Sequence, residues 1–324
     1  MHIFVKITDM KKILMIAAVL ALAACANERR EAVSSGGTLF DIYDGPAPGS
    51  EICIYPEREL EDEGNRYLLN ISSPTLEMFT PEDPDGSAVV ILPGGGFYLL
   101  SYNNEGVFVA QKMASHGVTA FVLKYRTTPV DLGDNCNPAN IGELWGAINA
   151  ATEAAERAAA EEAGPSDSVY EQASRRSGVS LAFADADRAL AFVRENAEKF
   201  GIDPDRIGIM GFSAGAITTL HQIQEHSDLS RPDFAGVIYG GWDGSFKTPD
   251  DPMPVFMCSP TNDLFSVEES VSVFEAMRAS GQPVEHHFFS KCVHGYGAAP
   301  TGTSVDCWPD LFAAFLKDCG IVSK

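Results

Sequence analysis

Apolar positions along the chain fall into short runs separated by polar, glycine-bearing or proline-bearing stretches. LEMFTP, SAVVILP, TAFVLKYR, RIGIMGF, AGVIYGGW, MPVFMCSP and VEHHFFS each have the length and β-branched or aromatic content of a strand. Between the third and fourth runs, Ala186, Leu190, Val193, Ala197 and Phe200 recur at helical spacing, and Gly201 closes the pattern. Strand runs alternating with helical patterns predict an α/β fold with a mostly parallel central sheet flanked by helices. One segment breaks the alternation. From Thr128 to about Ser180 no strand pattern is present, and the alanine-rich stretch ELWGAINAATEAAERAAAEEA stops at Gly164-Pro165, as a helix does. It follows a strand, and open α/β sheets bind ligands beyond the C-terminal ends of their strands. Residues 128–180 are therefore expected to form a helical cap-like insertion over the site, with a decoration on the sheet edge as the alternative.

The first residues follow a different logic. Lys11 and Lys12 precede the apolar run ILMIAAVLALAA, which is too short to span a bilayer comfortably and ends in small residues. Residues 1–24 read as a signal peptide, with its start at Met10. The polar stretch NERREAVSSGG reads as a flexible tether within residues 25–49, leaving residues 50–324 for the folded domain.

The chain has 324 residues, 45% of them hydrophobic, enough for one sizeable core. Its formal charge of -22, without a local basic patch, repels phosphate backbones and argues against nucleic acid as a partner. The chain contains 7 cysteines. Without Cys25 an even set remains, which in an exported protein permits disulfides; a pair among Cys292, Cys307 and Cys319 is expected, while Cys258, inside an apolar run, reads as a buried thiol.

The chemistry centres on IGIMGFSAGAIT. Gly211 and Gly215 flank Ser213 between a strand and a helical segment, a spacing that lets the serine sit on a sharp turn with its hydroxyl exposed. A serine hydroxyl needs a base, and His294, after the last strand and beside Gly295 and Gly297, supplies one; His286 and His287 lie inside the strand run and read as packed or surface residues. The base needs a carboxylate to hold its tautomer. Asp263, just past the run VFMCSP, is the first choice, and Asp243, one strand earlier, is the alternative. The amide of Ala214 and those of Gly95 and Gly96, in VVILPGGGFYLLSYNNEG, are the expected oxyanion donors.

Together these residues resemble the α/β-hydrolase superfamily, in which serine, acid and histidine follow one another in this chain order. More narrowly, they resemble its carbohydrate-esterase-like branch of acetyl-xylan and feruloyl-esterase-like enzymes. The likeness covers about Pro74 to Leu316 and is carried by PGGGFYLLSYNNEGVFVAQKM, AFVLKYR, DADRALAFVRENAEKFGIDPDRIGIMGFSAG and SPTNDLFSVEESVSVFEAMRASGQPVEHHFFSKCVHGYG. It implies Ser213 as nucleophile, Asp263 as acid and His294 as base, acting on an ester of a small molecule or oligosaccharide, with neither cofactor nor metal. Pro93 stands where lipase-like relatives carry a histidine, which favours the carbohydrate branch. The insertion is longer than that branch leads one to expect. Glu105 matches a family position, with a structural hydrogen bond as its expected role. Cys292 with His294 lacks the second ligand pair of a zinc site.

The sequence thus points to a serine esterase removing short acyl groups, acetyl foremost. A general carboxylesterase or lipase, a prolyl-oligopeptidase-like peptidase and a noncatalytic glycan-binding lipoprotein are the alternatives. Leu22-Ala23-Ala24-Cys25 resembles a bacterial lipoprotein processing box, which implies lipidation of Cys25, against ordinary cleavage at an Ala-x-Ala-like site. Ala26 in place of aspartate implies an outer-membrane anchor facing the periplasm.

Overall fold

The computed structural model describes residues 36–162, 178–242, 246–263 and 266–323. The stretch read as a signal peptide, Cys25, the first part of the expected tether, Asp243 and the end of the insertion lie outside these residues.

Every run read as a strand forms one: β4 (Thr75–Phe79), β5 (Ala88–Leu92), β7 (Thr119–Lys124), β8 (Ile207–Phe212), β9 (Ala235–Ile238), β10 (Val255–Pro260) and β11 (Val284–Phe289). With β1 (Thr38–Asp41) they make one sheet in the order β1-β4-β7-β5-β8-β9-β10-β11. The pairings from β7 onward are parallel, and β1 and β4 join antiparallel at one edge. β5, β8, β9 and β10 bury every residue. Strands covered on both faces read as continuous apolar runs, which is why the sequence signalled them so clearly.

β1 corrects the expected tether. Thr38 to Asp41 pair with β4 in register Thr38↔Met78 to Asp41↔Thr75, so the folded unit begins well before residue 50. Three of its four positions are exposed, which erases the alternation that marks a strand. It docks through Phe40, whose ring centroid lies 5.2 Å from that of Phe200. A second sheet, of β2 (Arg58–Asp62), β3 (Asn65–Leu69) and β6 (Leu99–Ser101), is antiparallel and unheralded by the runs.

Helices cover the main sheet. α1 (Phe108–Ser115) follows a π-helical turn, Asn103–Val107. The helix expected up to Gly201 is split at Asn196 into α3 (Gly178–Glu195) and a short α4 (Ala197–Phe200), with Gly201 at φ 69° as its left-handed cap. α5 (Ala214–Gln224), α6 (Val267–Ala279) and α7 (Trp308–Asp318) complete the set discussed below.

The insertion contributes α2 (Ile141–Glu162). Its start is capped reciprocally: Asn140 Oδ1 accepts the Glu143 N–H at 2.9 Å, and Glu143 Oε2 accepts the Ala139 N–H at 2.8 Å. Ile141, Leu144, Trp145 and Ile148 pack on Leu69 of β3 and on Tyr98 and Leu99, which follow the triple glycine. The helix therefore leans on the small sheet and the glycine loop.

The expected disulfide is absent. Cys53, Cys136, Cys258, Cys292, Cys307 and Cys319 are all free thiols. Nearness in sequence misled: Cys307 ends a 3₁₀ turn (Ser304–Cys307) before α7, Cys319 caps that helix at its far end, and Cys292 follows β11.

Candidate active site

β8 delivers Ser213 to the C-terminal edge of the sheet and α5 begins directly after it. The turn between them is tight: Ser213 has φ 51° and ψ -112°, a conformation that L side chains rarely adopt. Only glycine fits its flanks, because a Cβ on Gly215 would lie 2.0 Å from Leu92 O and one on Gly211 2.0 Å from Gly215 O. The two glycines thus let the serine backbone wind between β5 and α5. The Ser213 amide donates to Ile238 O at 3.1 Å, tying the turn to β9.

Asp263 follows β10 and His294 follows β11, so three strand ends converge. His294 Nε2 lies 2.8 Å from Ser213 Oγ and its Nδ1 lies 2.7 Å from Asp263 Oδ2. With the ring proton on Nδ1, the imidazole donates to the carboxylate and accepts from the serine hydroxyl. All three side chains are buried, at 8%, 6% and 5% exposure for Ser213, Asp263 and His294, which strengthens these contacts by excluding water.

Ser266 Oγ donates to the same Asp263 oxygen at 2.9 Å. Ser266 precedes α6 in the pattern of a capping serine and was legible only as such; its hydroxyl turns to the carboxylate instead. His286 and His287 stand apart, His286 Nε2 at 3.3 Å from Ser259 Oγ and His287 Nε2 at 2.9 Å from Glu285.

The glycine loop leaves β5 and passes against the serine. A Cβ on Gly94 would meet Phe212 O at 2.7 Å and Ser213 Cβ at 3.0 Å. Gly95 and Gly96 take φ 137° and 61°, and Tyr125 donates its hydroxyl to Pro93 O at 2.6 Å, holding the loop from below. Gly95 O accepts the Tyr98 and Leu99 amides at 3.0 and 3.1 Å. Ala214 is the first residue of α5, where an amide lacks an intrahelical partner.

Beneath this loop lies a group the sequence flagged without explaining. Glu105 accepts the Gly94 N–H at 2.6 Å and the Tyr239 O–H at 2.7 Å. Burial raises its pKa, while those two bonds and the nearby imidazole pull it back down. Tyr239 carried no sequence signal; it follows β9 with a strained φ of 38°, and burial with the Glu105 charge pushes its hydroxyl pKa well up. Among the described residues no three His, Cys, Asp or Glu side chains converge as a metal site would require.

The fold that carries this arrangement has counterparts among solved structures. The chain superposes on an acetyl ester-xyloside bifunctional hydrolase from Caldicellulosiruptor lactoaceticus with a TM-score of 0.57 at 21% identity, over 88% of this chain and 97% of that one. It also matches the apo form of Thermogutta terrifontis esterase 2, with a TM-score of 0.55 at 16% identity, over 92% and 99% of the two chains. The fold is that of the α/β-hydrolases.

Residues 169–229, which include Ser213, match the family model described as BD-FAE. Over 181 residues the chain is 26% identical to an acetylxylan esterase from Xylanibacter ruminicola, covering 54% of this chain and 27% of that protein. The chain spans about a quarter of the length of the curated relatives it matches. These likenesses support the carbohydrate-esterase-like resemblance drawn from the motifs.

Proposed function

We propose that the protein is a serine esterase that removes short acyl groups, acetyl foremost, from carbohydrates or related alcohols. The observation that carries this reading is the unbroken line of contacts from Ser213 through His294 to Asp263 beside a glycine loop. His294 Nε2 takes the hydroxyl proton as Ser213 Oγ attacks the ester carbonyl carbon. The amides of Gly95, Gly96 and Ala214 then donate to the oxyanion of the tetrahedral intermediate. Collapse of that intermediate breaks the bond to the alcohol oxygen, which leaves with the proton held by His294. Water, deprotonated by the same imidazole, attacks the acyl-serine, and a second collapse releases the carboxylic acid and restores the serine. Asp263 stabilises the imidazolium at each stage. The matched acetylxylan esterase and the acetyl ester-xyloside hydrolase support acetyl and a carbohydrate alcohol as the substrate class.

The lysine pair, the apolar run and the Leu22-Ala23-Ala24-Cys25 box support export and a lipid anchor at Cys25 on the periplasmic side of the outer membrane. Cys25→Ser then moves the protein from the membrane fraction to the soluble one; an unchanged distribution overturns the anchor.

Hydrolysis of p-nitrophenyl acetate, butyrate and octanoate by the protein and by Ser213→Ala tests the activity. Fastest turnover of acetate, lost in Ser213→Ala, is the expected result. Activity that survives in the variant sinks the mechanism, and preference for octanoate sinks the short-chain specificity.

A further inference from the structure

The turn Asn103–Val107 grips two loops at once. Glu105, 4% exposed, receives the Gly94 amide on Oε2 and the Tyr239 hydroxyl on Oε1, at 2.6 and 2.7 Å. Tyr239 Oη in turn accepts the Gly297 N–H at 3.1 Å, and its ring centroid lies 4.9 Å from that of His294. Next to it, Asn104 Oδ1 accepts the Ala299 N–H at 2.8 Å, its carbonyl accepts the Ala298 N–H at 3.0 Å, and its Nδ2 donates to Gly295 O at 3.3 Å. A Cβ on Gly297 would lie 2.4 Å from the Asn104 side chain, so the histidine loop is pressed onto the turn.

The glycine loop and the histidine loop are distant in sequence and meet through this turn. Two donors aim at the Glu105 oxygens, while burial holds its pKa above the ordinary carboxylate value. A buried carboxylate that served only to fill space would be costly compared with an apolar residue.

Resting on the serine-hydrolase reading above, we propose that Glu105 is a positioning residue. Through Gly94 and Tyr239 it sets the separation between the oxyanion amides and the imidazole that serves Ser213.

The test is Glu105→Gln in the full chain, which keeps the shape but turns one accepting oxygen into a donor, so one of the two bonds is lost. Two readouts are expected to move. On p-nitrophenyl acetate, kcat falls about 100-fold with KM within about threefold, the pattern of a misplaced reacting group. A fluorophosphonate probe labels Ser213 more slowly by about the same factor, because that reaction uses the same nucleophile, base and oxyanion amides without an ester substrate.

A kcat within about twofold of wild type, with an unchanged rate of Ser213 labelling, overturns the proposal. Tyr239→Phe keeps the carboxylate and cuts its link to Gly297; should Glu105→Gln not fold, this variant is expected to lose kcat with KM retained, and wild-type kcat overturns the proposal. A wild-type protein inert towards every ester sinks the esterase reading alone, because the ratio of fluorophosphonate labelling rates between wild type and Glu105→Gln is read without an ester and still decides for or against the positioning role.

Discussion

Arg126 and Asp185 face each other side-on with neither side chain exposed: Nε donates to one carboxylate oxygen at 3.0 Å and Nη2 to the other at 2.7 Å. The Arg126 amide adds a third donor at 2.9 Å and the Tyr43 hydroxyl a fourth at 3.0 Å. Arg126 also reaches Pro48 O at 2.5 Å. The pair thus pins three parts of the chain together: the end of β7, helix α3 and the segment leading from β1.

Breaking this pair from one side leaves the other charge buried and uncompensated. Asp185→Ala is therefore expected to cost about 3 to 5 kcal/mol in urea unfolding, whereas the apolar double variant Arg126→Met/Asp185→Leu costs less than that single change. A single variant within about 1 kcal/mol of wild type would refute the account.

Two glycines make opposite predictions. Gly215→Ala drives a Cβ to within 2.0 Å of Leu92 O, backbone that cannot swing aside, and the protein is expected to lose its native fold or its Ser213 geometry. Gly146, in the middle of α2, has open space around its added Cβ. Gly146→Ala should raise stability by up to about 1 kcal/mol through helix propensity, seen as a higher urea midpoint.

His286 sets an acid limit on stability. Burial, reinforced by His287, pushes its pKa down from 6.5 to about 4, and its Nδ1 is buried without a partner. In the unfolded chain the imidazole takes a proton near pH 6.5, while the folded protein resists until about pH 4. Stability present above the unfolded value is thus lost as the pH falls through that window. His286→Leu should lose less stability than wild type between about pH 6.5 and pH 4 in urea unfolding; parallel losses would exclude His286 as the cause.

The thiols differ in reactivity for physical reasons. Burial holds Cys258 up at about 12 and Cys292 at about 11, so neither presents thiolate at neutral pH. Cys307 is exposed. Dithionitrobenzoate should modify Cys307 first and Cys258 only after unfolding, and 6 thiols from Cys53 to Cys319 should titrate in guanidinium without reductant. Fewer would show a disulfide.

Local pattern determined a large part of this protein. Strands buried on both faces must be apolar throughout, so β5, β8 and β10 announced themselves, and a serine between two glycines at a strand end has few backbone paths open to it. The positions of Asp263 and His294 were legible because a parallel sheet brings the ends of its strands to one edge. What tertiary structure alone decided depends on partners far apart in sequence. The four residues of β1 are mostly exposed and become a strand only by pairing with β4; Ser266 looks like a helix cap until Asp263 stands beside it; Arg126 and Asp185 are 59 residues apart. Glu105 shows the division most sharply. Its residue type and place were visible in NNEG, but its meaning comes from Gly94 on one side and Tyr239 on the other, because hydrogen bonds form between atoms that the fold brings together and periodicity records only which face a residue turns to the core.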